Sequence, residues 1–226
     1  MQAVILVAGK GTRMGELVNT IPKPLLFAKG KTLLEYKFDA LPESVDEIVL
    51  VIGYLGEQII KKFGTKYKKK KIIYVKQKRA NGTGGALMRA KNVLQDNFLV
   101  MMGDDIYSKK DILNCLKFPC AVVTKKVSNT QKGGELFFDE KNKLIGTYEA
   151  KHYIKSGYIN TGLYKLKKNF LNYKMGTVEG TKEFGIPQTL VSYAQKENVK
   201  VIISKSPWIQ ITNQTDLQNF TKRKLA

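Results

Sequence analysis

A chain of 226 residues, 43% hydrophobic and 26% charged, has the composition of a globular protein with one sizeable core. Its net charge of +20, carried mainly by lysine, suits polyanionic ligands, either small polyphosphates or nucleic acid. Cys115 and Cys120 are too far apart for a CxxC pair and His152 is the only histidine, which argues against zinc and Cys–His chemistry. No apolar run approaches the ~18 residues of a membrane span, so the expected location is cytoplasmic, with no membrane partner.

The first predicted strand, residues 2–8, is a short apolar run with β-branched members, the pattern of a buried parallel strand. Residues 9–24 follow as a loop longer than strand-to-helix connections usually are, and such loops tend to be functional. Gly9 and Gly11 let backbone N–H groups approach a ligand. Lys10, Arg13 and Lys23 put positive charge around the same turn, an arrangement that suits polyphosphate. Neither well-known phosphate loop fits. The Gly-Lys-Ser/Thr ending of a P-loop is missing, and Met14 stands where a dinucleotide fingerprint needs its third glycine.

Thr32 with Glu35 reads as a capping box that opens a helix to about Leu41. A strand over residues 46–52, a helix from Gly56 to Phe63 and a strand over residues 71–75 come next. The lysine run at 66–71 reads as a solvated helix end and turn. It carries no nucleic-acid module and no grouped aromatics, which argues against a nucleic-acid partner. Residues 77–85 form a second glycine-rich loop before a helix over 86–94. A strand over 98–102 then ends in Gly103-Asp104-Asp105. This alternation predicts an open α/β sheet, mostly parallel, with its special loops converging at the carboxyl ends of the strands.

The second half is less regular. It predicts a strand over 121–125, a hairpin of 134–138 with 144–149 closed by residues 139–142, and a strand over 157–166. A helix over 186–196, a strand over 199–204 and a last helix from about Asp216 complete the chain, extending the sheet and covering the crevice.

Asp104, at the end of a buried strand, is the candidate ligand for Mg²⁺, with helix capping as its competing role. Asp105 reads as solvent-facing or helix-capping, with a supporting place behind the metal as the other option. The Gln77 amide suits the edge of a pyrimidine, with Gly82 nearby to complete the recognition, and the Asn160 amide suits a sugar hydroxyl. Glu149 suits sugar hydroxyls and Lys151 a phosphate.

Taken together, Val7-Ala8-Gly9-Lys10-Gly11-Thr12-Arg13-Met14 followed by Pro22-Lys23-Pro24-Leu25 resembles the signature of the sugar-1-phosphate nucleotidyltransferases, the sugar-nucleotide pyrophosphorylases. Agreement continues through Gln77 and Gly82, Gly103-Asp104, Glu149 and Asn160-Thr161-Gly162. The resemblance implies a Rossmann-like open, mostly parallel (mixed) sheet flanked by helices, of the nucleotide-diphospho-sugar transferase type. It implies a single domain over 1–226, with a nucleotide-binding half at 1–106 and a sugar-phosphate half at 107–226. Ala8, Gly9, Gly11, Thr12, Arg13 and Thr83 would hold the nucleotide, with Gln77 and Gly82 at the base. Arg13 and Lys23 would be the catalytic cations. Gly134, Glu149, Lys151 and Asn160 would hold the sugar phosphate, and Asp104 would bind Mg²⁺. The substrates implied are a nucleoside triphosphate, with UTP or dTTP favoured and CTP next, and a sugar 1-phosphate. A homo-oligomer stays open. No repeat follows, so the left-handed β-helix acyltransferase domain of some relatives is not expected.

One departure matters. The family usually places a second metal-binding Asp two positions after the late tryptophan, where this chain has Gln210 after Trp208. A neutral amide oxygen can ligate Mg²⁺ but adds no charge. A weakly active or regulatory nucleotide-sugar-binding homologue therefore stands as an alternative; a cytidylyltransferase for a non-sugar alcohol phosphate is a separate one. Asp216, on the following helix, is not expected to be a ligand.

Overall fold

The computed structural model describes residues 1–223, with residues 129–133 and 149–155 described by their backbone alone. Strand β1 (Gln2–Val7) is the spine of an eight-stranded sheet and is buried along its whole length. Side chains alternate across a strand, so β1 feeds two cores. Val4 and Leu6 face one, and Ala3, Ile5 and Val7 face the other.

Two short 3-10 segments (Thr12–Val18 and Lys23–Leu25) and a small hairpin, β2 (Phe27–Ala28) with β3 (Lys31–Thr32), lead into α1 (Leu33–Ala40). The chain continues through β4 (Glu47–Ile52), α2 (Gly56–Phe63), β5 (Lys66–Tyr67), β6 (Lys70–Lys76) and α3 (Gly82–Arg89). Then come β7 (Asn97–Met102), β8 (Asp105–Ile106) and α4 (Lys109–Leu116). The long strands β9 (Ala121–Phe138) and β10 (Leu144–Lys167) follow, and α5 (Ile186–Ala194), β11 (Lys200–Ser204), β12 (Ile209–Gln210) and α6 (Gln214–Lys222) close the chain.

The strand order is β11-β9-β10-β7-β1-β4-β6-β5. β1 pairs in parallel with β4 and β7, as do β4 with β6 and β9 with β11. β10 runs antiparallel to both β7 and β9, and β5 to β6. The sheet is thus mixed, mostly parallel and flanked by helices, as the sequence predicts. The chain leaves β1 for β4 on one side and reaches β7 on the other. The crevice beyond the carboxyl ends of β1 and β7 is therefore the switch point at which open α/β sheets bind ligands. Among the described residues no helix is long and apolar enough to cross a membrane.

The lysine run is not a helix end. Gly64 turns the chain out of α2, and the run becomes the β5–β6 hairpin, with Lys68 at positive φ in its turn. Tyr67 sets this course by packing its ring against Phe38 and Phe63. Lysines on a short edge strand also discourage pairing with another chain. Helix α3 begins at Gly82 rather than at residue 86, because Gly82–Gly85 form its first turn. The predicted hairpin and its neighbouring strands are continuous in β9 and β10. The Asp139 carboxylate closes the turn by accepting from the backbone N–H of Lys141 and Lys143 at 2.9 and 2.8 Å. The last helix starts two residues early, and its Asp216 carboxylate accepts from Thr212 and Asn213 N–H as part of a capping box. Asp216 is accordingly a cap.

The capping box of α1 is present. Thr32 Oγ1 accepts from Glu35 N–H at 3.2 Å, and Glu35 Oε2 accepts from Thr32 N–H at 2.7 Å. Thr32→Ala leaves one of these donors unpaired at a buried helix start. The expected loss is about 1–2 kcal/mol in urea unfolding with an unchanged m value, and Thr32→Ser recovers most of it.

Candidate active site

Three strand ends build the site. After β1, Gly11 sits in the left-handed region (φ 69°), and a Cβ there would lie 3.1 Å from the Cβ of Lys23. A side chain at 11 would displace the lysine stem that packs against it. Lys23 is held between Pro22 and Pro24 in its 3-10 segment and is almost fully buried. Its ammonium reaches Asp104 Oδ2, just past the end of β7, at 3.3 Å. That ion pair ties the first loop to the third, and the Asp104 carboxylate is still 31% exposed toward the crevice.

Two adjoining clefts share this floor. The smaller, about 190 Å³, is lined by Gly9, Gly11, Lys23 and Gly103. The larger, about 470 Å³, is lined by Thr83, Gly134, Asn160 and Gln210, together with Trp208 and Gln188. Arg13 and Asp104 line both. A third hollow beside Ala8, past the ends of β4 and β6, contains Gln77 and Tyr54. Gln77 Nε2 donates to Asn81 Oδ1 at 2.9 Å. No partner for Gln77 Oε1 occurs among the described residues.

Most of the expected site residues line these three places, with some exceptions and differences in detail. Thr83 faces the large cleft rather than the Gln77 hollow, and its hydroxyl accepts from Ile186 N–H at 3.2 Å. Gly82 is fixed by packing: at φ 87°, a Cβ there would lie 2.3 Å from the Phe184 carbonyl oxygen. That carbonyl accepts from Gly84 N–H at 2.8 Å. The segment before α5 thus clamps the start of α3. Asn160 Oδ1 accepts from Gly162 N–H at 2.9 Å and its Nδ2 donates to the Tyr164 hydroxyl at 2.6 Å, so half of its amide capacity is used locally. Thr12 lines a separate outer hollow with Lys10. Gly134 pairs with Glu149 in the β9–β10 ladder. The side chains of Glu149 and Lys151 lie outside the described residues.

Neither Asp104 nor Asp105 caps a helix. Ser108 does so for α4, its hydroxyl accepting from Asp111 N–H at 3.0 Å. Asp105 is not solvent-facing either, because it is only 3% exposed. It lies in β8 directly opposite Gln210 of β12, and its Oδ2 accepts from the Tyr107 hydroxyl at 3.3 Å. Burial, and then the neighbouring Asp104, push its carboxyl well above the ordinary range, while Lys37 and Lys23 oppose the shift. Lys37, fully buried on α1, is pushed down to about 8 by desolvation against the pull of Asp105 and Asp104. No local motif marks Lys37 or Asp105 as a pair, since they meet only through the packing of α1 on the sheet. Gln188 and Trp208 likewise gave no signal as site residues.

For a metal, Asp104 is the accessible carboxylate, and the Gln210 strand returns beside it through Ile211 N–H donating to Asp104 O at 2.9 Å. No group of three or more His, Cys, Asp or Glu suited to a metal occurs among the described residues. Mg²⁺ fits such a sparse donor set, since it takes one or two carboxylates and completes its shell with water and substrate phosphates.

Residues 2–221 match the sequence profile of the family described as nucleotidyl transferase. The chain is 32% identical over 223 residues to the bifunctional protein GlmU of Methanocaldococcus jannaschii, covering 98% of this chain and 54% of that protein. It spans about half the length of the GlmU relatives it matches. It is also 34% identical over 176 residues to the D-glycero-alpha-D-manno-heptose 1-phosphate guanylyltransferase of Campylobacter jejuni, covering 76% of this chain and 78% of that one. Among solved structures, HddC from Yersinia pseudotuberculosis aligns with a TM-score of 0.74 at 25% identity over 98% of each chain. A UDP-glucose pyrophosphorylase shares the fold, with a TM-score of 0.80 at 18% identity over 97% and 96% of the two chains. With a glycine turn and a Lys–Asp bridge at the switch point, and a profile match running nearly end to end, the chain belongs to the nucleotidyltransferase family that includes the sugar-1-phosphate nucleotidyltransferases.

Proposed function

We propose that this protein joins a nucleoside triphosphate to a sugar 1-phosphate, giving a nucleoside diphosphate sugar and pyrophosphate. The observation that carries this reading is that Arg13 and Asp104 line both clefts, so substrates held side by side meet at the same two groups. A phosphate oxygen of the acceptor attacks the α-phosphorus. The new P–O bond forms as the bond to the departing pyrophosphate breaks, and no activated Ser, Cys or His is required. Arg13 and Lys23 offset the repulsion between two anions and the charge growing on the leaving group. Asp104 would hold Mg²⁺ with the Gln210 amide as a neutral second donor, and bound metal supplies further neutralisation of the phosphate oxygens.

Gln77 reads the base. With its N–H engaged by Asn81, its carbonyl oxygen suits a base that offers a ring N–H on its pairing edge, as uracil and thymine do. UTP or dTTP is therefore the favoured donor. GTP is the second reading, favoured by the likeness to a heptose 1-phosphate guanylyltransferase, and guanine offers the same kind of N–H. The test is pyrophosphate release from each NTP with Mg²⁺ and a panel of glucose, mannose, N-acetylglucosamine and heptose 1-phosphates. Absence of turnover with every pair, from folded protein that still binds a nucleoside diphosphate sugar, overturns the reaction in favour of a sensor.

Gln210→Asp adds a carboxylate beside Asp104. It is expected to lower severalfold the Mg²⁺ concentration giving half-maximal pyrophosphate release, as read from a metal titration at saturating substrates.

A further inference from the structure

The loop that carries Arg13 is held at separate points along its length. The Tyr54 hydroxyl donates to Asn19 O at 3.0 Å and Gln58 Nε2 to Thr20 O at 2.7 Å, which ties the far half of the loop to α2. Lys23 is tied to Asp104 by the 3.3 Å ion pair. Over residues 9–18 only one side chain from outside the loop donates a hydrogen bond among the described residues. It is Gln214, whose Nε2 reaches Met14 O at 2.9 Å. The Arg13 guanidinium has no hydrogen bond or ion pair of its own among the described residues, so the backbone that carries it sets its place.

Gln214 fits a place made for it. The helical run breaks at Gly15, with φ 61° and ψ −141°, and a Cβ there would lie 3.1 Å from Gln214 Nε2. The missing side chain lets the carboxamide reach the Met14 carbonyl. A carbonyl only accepts, so the amide nitrogen is the end that faces it. Met14 and Val18 also pack with Ile211, Leu217 and Phe220 in a small core apart from the two main ones. Those apolar contacts fix how deep the segment sits, and the directional hydrogen bond fixes its rotation. Gln214 opens α6, and the residues leading into it bond Asp104 O through Ile211 N–H and line the smaller cleft with Thr212. The Arg13 and Asp104 loops are thus joined twice. The Lys23–Asp104 tie is made of the charged groups that phosphates and Mg²⁺ would engage, and the tie through residues 211–214 uses neither.

We infer that Gln214 is a positioning residue, which keeps the Arg13 segment in place when substrate and metal separate Lys23 from Asp104. This rests on the reading above in taking Lys23 and Asp104 as the groups that substrate and metal engage. The ion pair holds the resting site, and the neutral bond to Met14 O holds the occupied one.

The test uses the full chain and two readouts. In Gln214→Met, and in Gln214→Glu, which keeps the shape and lacks the donor, pyrophosphate release is expected to slow about tenfold, with most of the loss in kcat rather than KM. Adding Gln214→Met to Arg13→Met should cost little more than Arg13→Met alone, because a residue that acts through Arg13 has nothing left to position. The second readout, hydrogen exchange, needs no turnover. In the Lys23→Met background, where the charged tie is gone, adding Gln214→Met is expected to speed amide exchange over residues 12–18 about tenfold while leaving β1 and β4 protected. Undiminished kcat in both Gln214 variants of an active wild type, or losses that multiply with that of Arg13→Met, overturn the inference. Exchange over residues 12–18 no faster in the double variant than in Lys23→Met overturns it as well. Faster exchange together with no pyrophosphate release by the wild type defeats the proposed reaction and leaves Gln214 as the anchor of the Arg13 segment.

Discussion

Replacing Lys23 by Met is expected to lower kcat/KM for pyrophosphate release by about a hundredfold to a thousandfold, the usual cost of removing one group that stabilises developing charge in a water-poor site. Methionine keeps the apolar stem that packs on Gly11, so the glycine turn retains its support and the loss is of charge alone. Folding stability should change by less than about 1 kcal/mol, because Asp104 is partly exposed and can turn to water when the ammonium is gone. Asp104→Ala is expected to produce a comparable fall. The Lys23→Met/Asp104→Ala double variant should fall little further, since groups that act as one unit are not additive. Steady-state assays of the three variants beside urea unfolding check this. Losses that simply multiply would mean that the two groups act independently, and a loss of stability matching the loss of activity would make the bridge structural.

Much of this arrangement was legible along the chain. The apolar run before Gly9, the Thr32 capping box and the helix Gly56–Phe63 are local patterns with a local cause, and they appear in the fold where the sequence puts them. The three special loops also follow from order alone, because parallel strands leave their carboxyl ends on one edge. What escaped the sequence depends on contacts between distant segments. Gly82–Gly85 reads as a loop until the Phe184 carbonyl is seen capping it as a helix start. The β8–β12 pairing of Asp105 with Gln210 joins residues that share no periodic signal. Asp105 reads as exposed because an Asp beside a glycine turn usually is. Its burial follows from the short β8–β12 pairing and from Tyr107, whose hydroxyl also donates to Thr161 O at 2.9 Å. The lining of the larger cleft is the least legible for the same reason, since Gln188 and Trp208 are brought to it by α5 and by the return of the chain to β12.

The buried Lys37 gives the largest expected effect on stability. Its ammonium donates to Leu33 O at 3.2 Å, one turn back on α1, and is otherwise balanced by the field of Asp105 and Asp104. Lys37→Met leaves the Asp105 carboxyl buried without its compensating cation, a change that costs about 3 kcal/mol or more at neutral pH. Adding Asp105→Asn removes the stranded charge while keeping a group that can accept from Tyr107, and the Lys37→Met/Asp105→Asn pair should recover at least half of the loss. The pH dependence distinguishes charge from shape. The folded carboxyl of Asp105 titrates well above its ordinary 3.8, and losing Lys37, which pulls it down, raises it further. Between the unfolded and folded values the native state then holds a proton that the unfolded chain has released, so stability falls as pH rises through that interval. Lys37→Met should therefore lose stability progressively above about pH 4 relative to the double variant, which lacks the titrating group, and should approach it in acid. A constant gap between the two variants from pH 4 to pH 8 would instead assign the cost to packing of the methionine. The buried pair would then be a matter of shape, and the charge behind the floor of the clefts would carry no part of the stability.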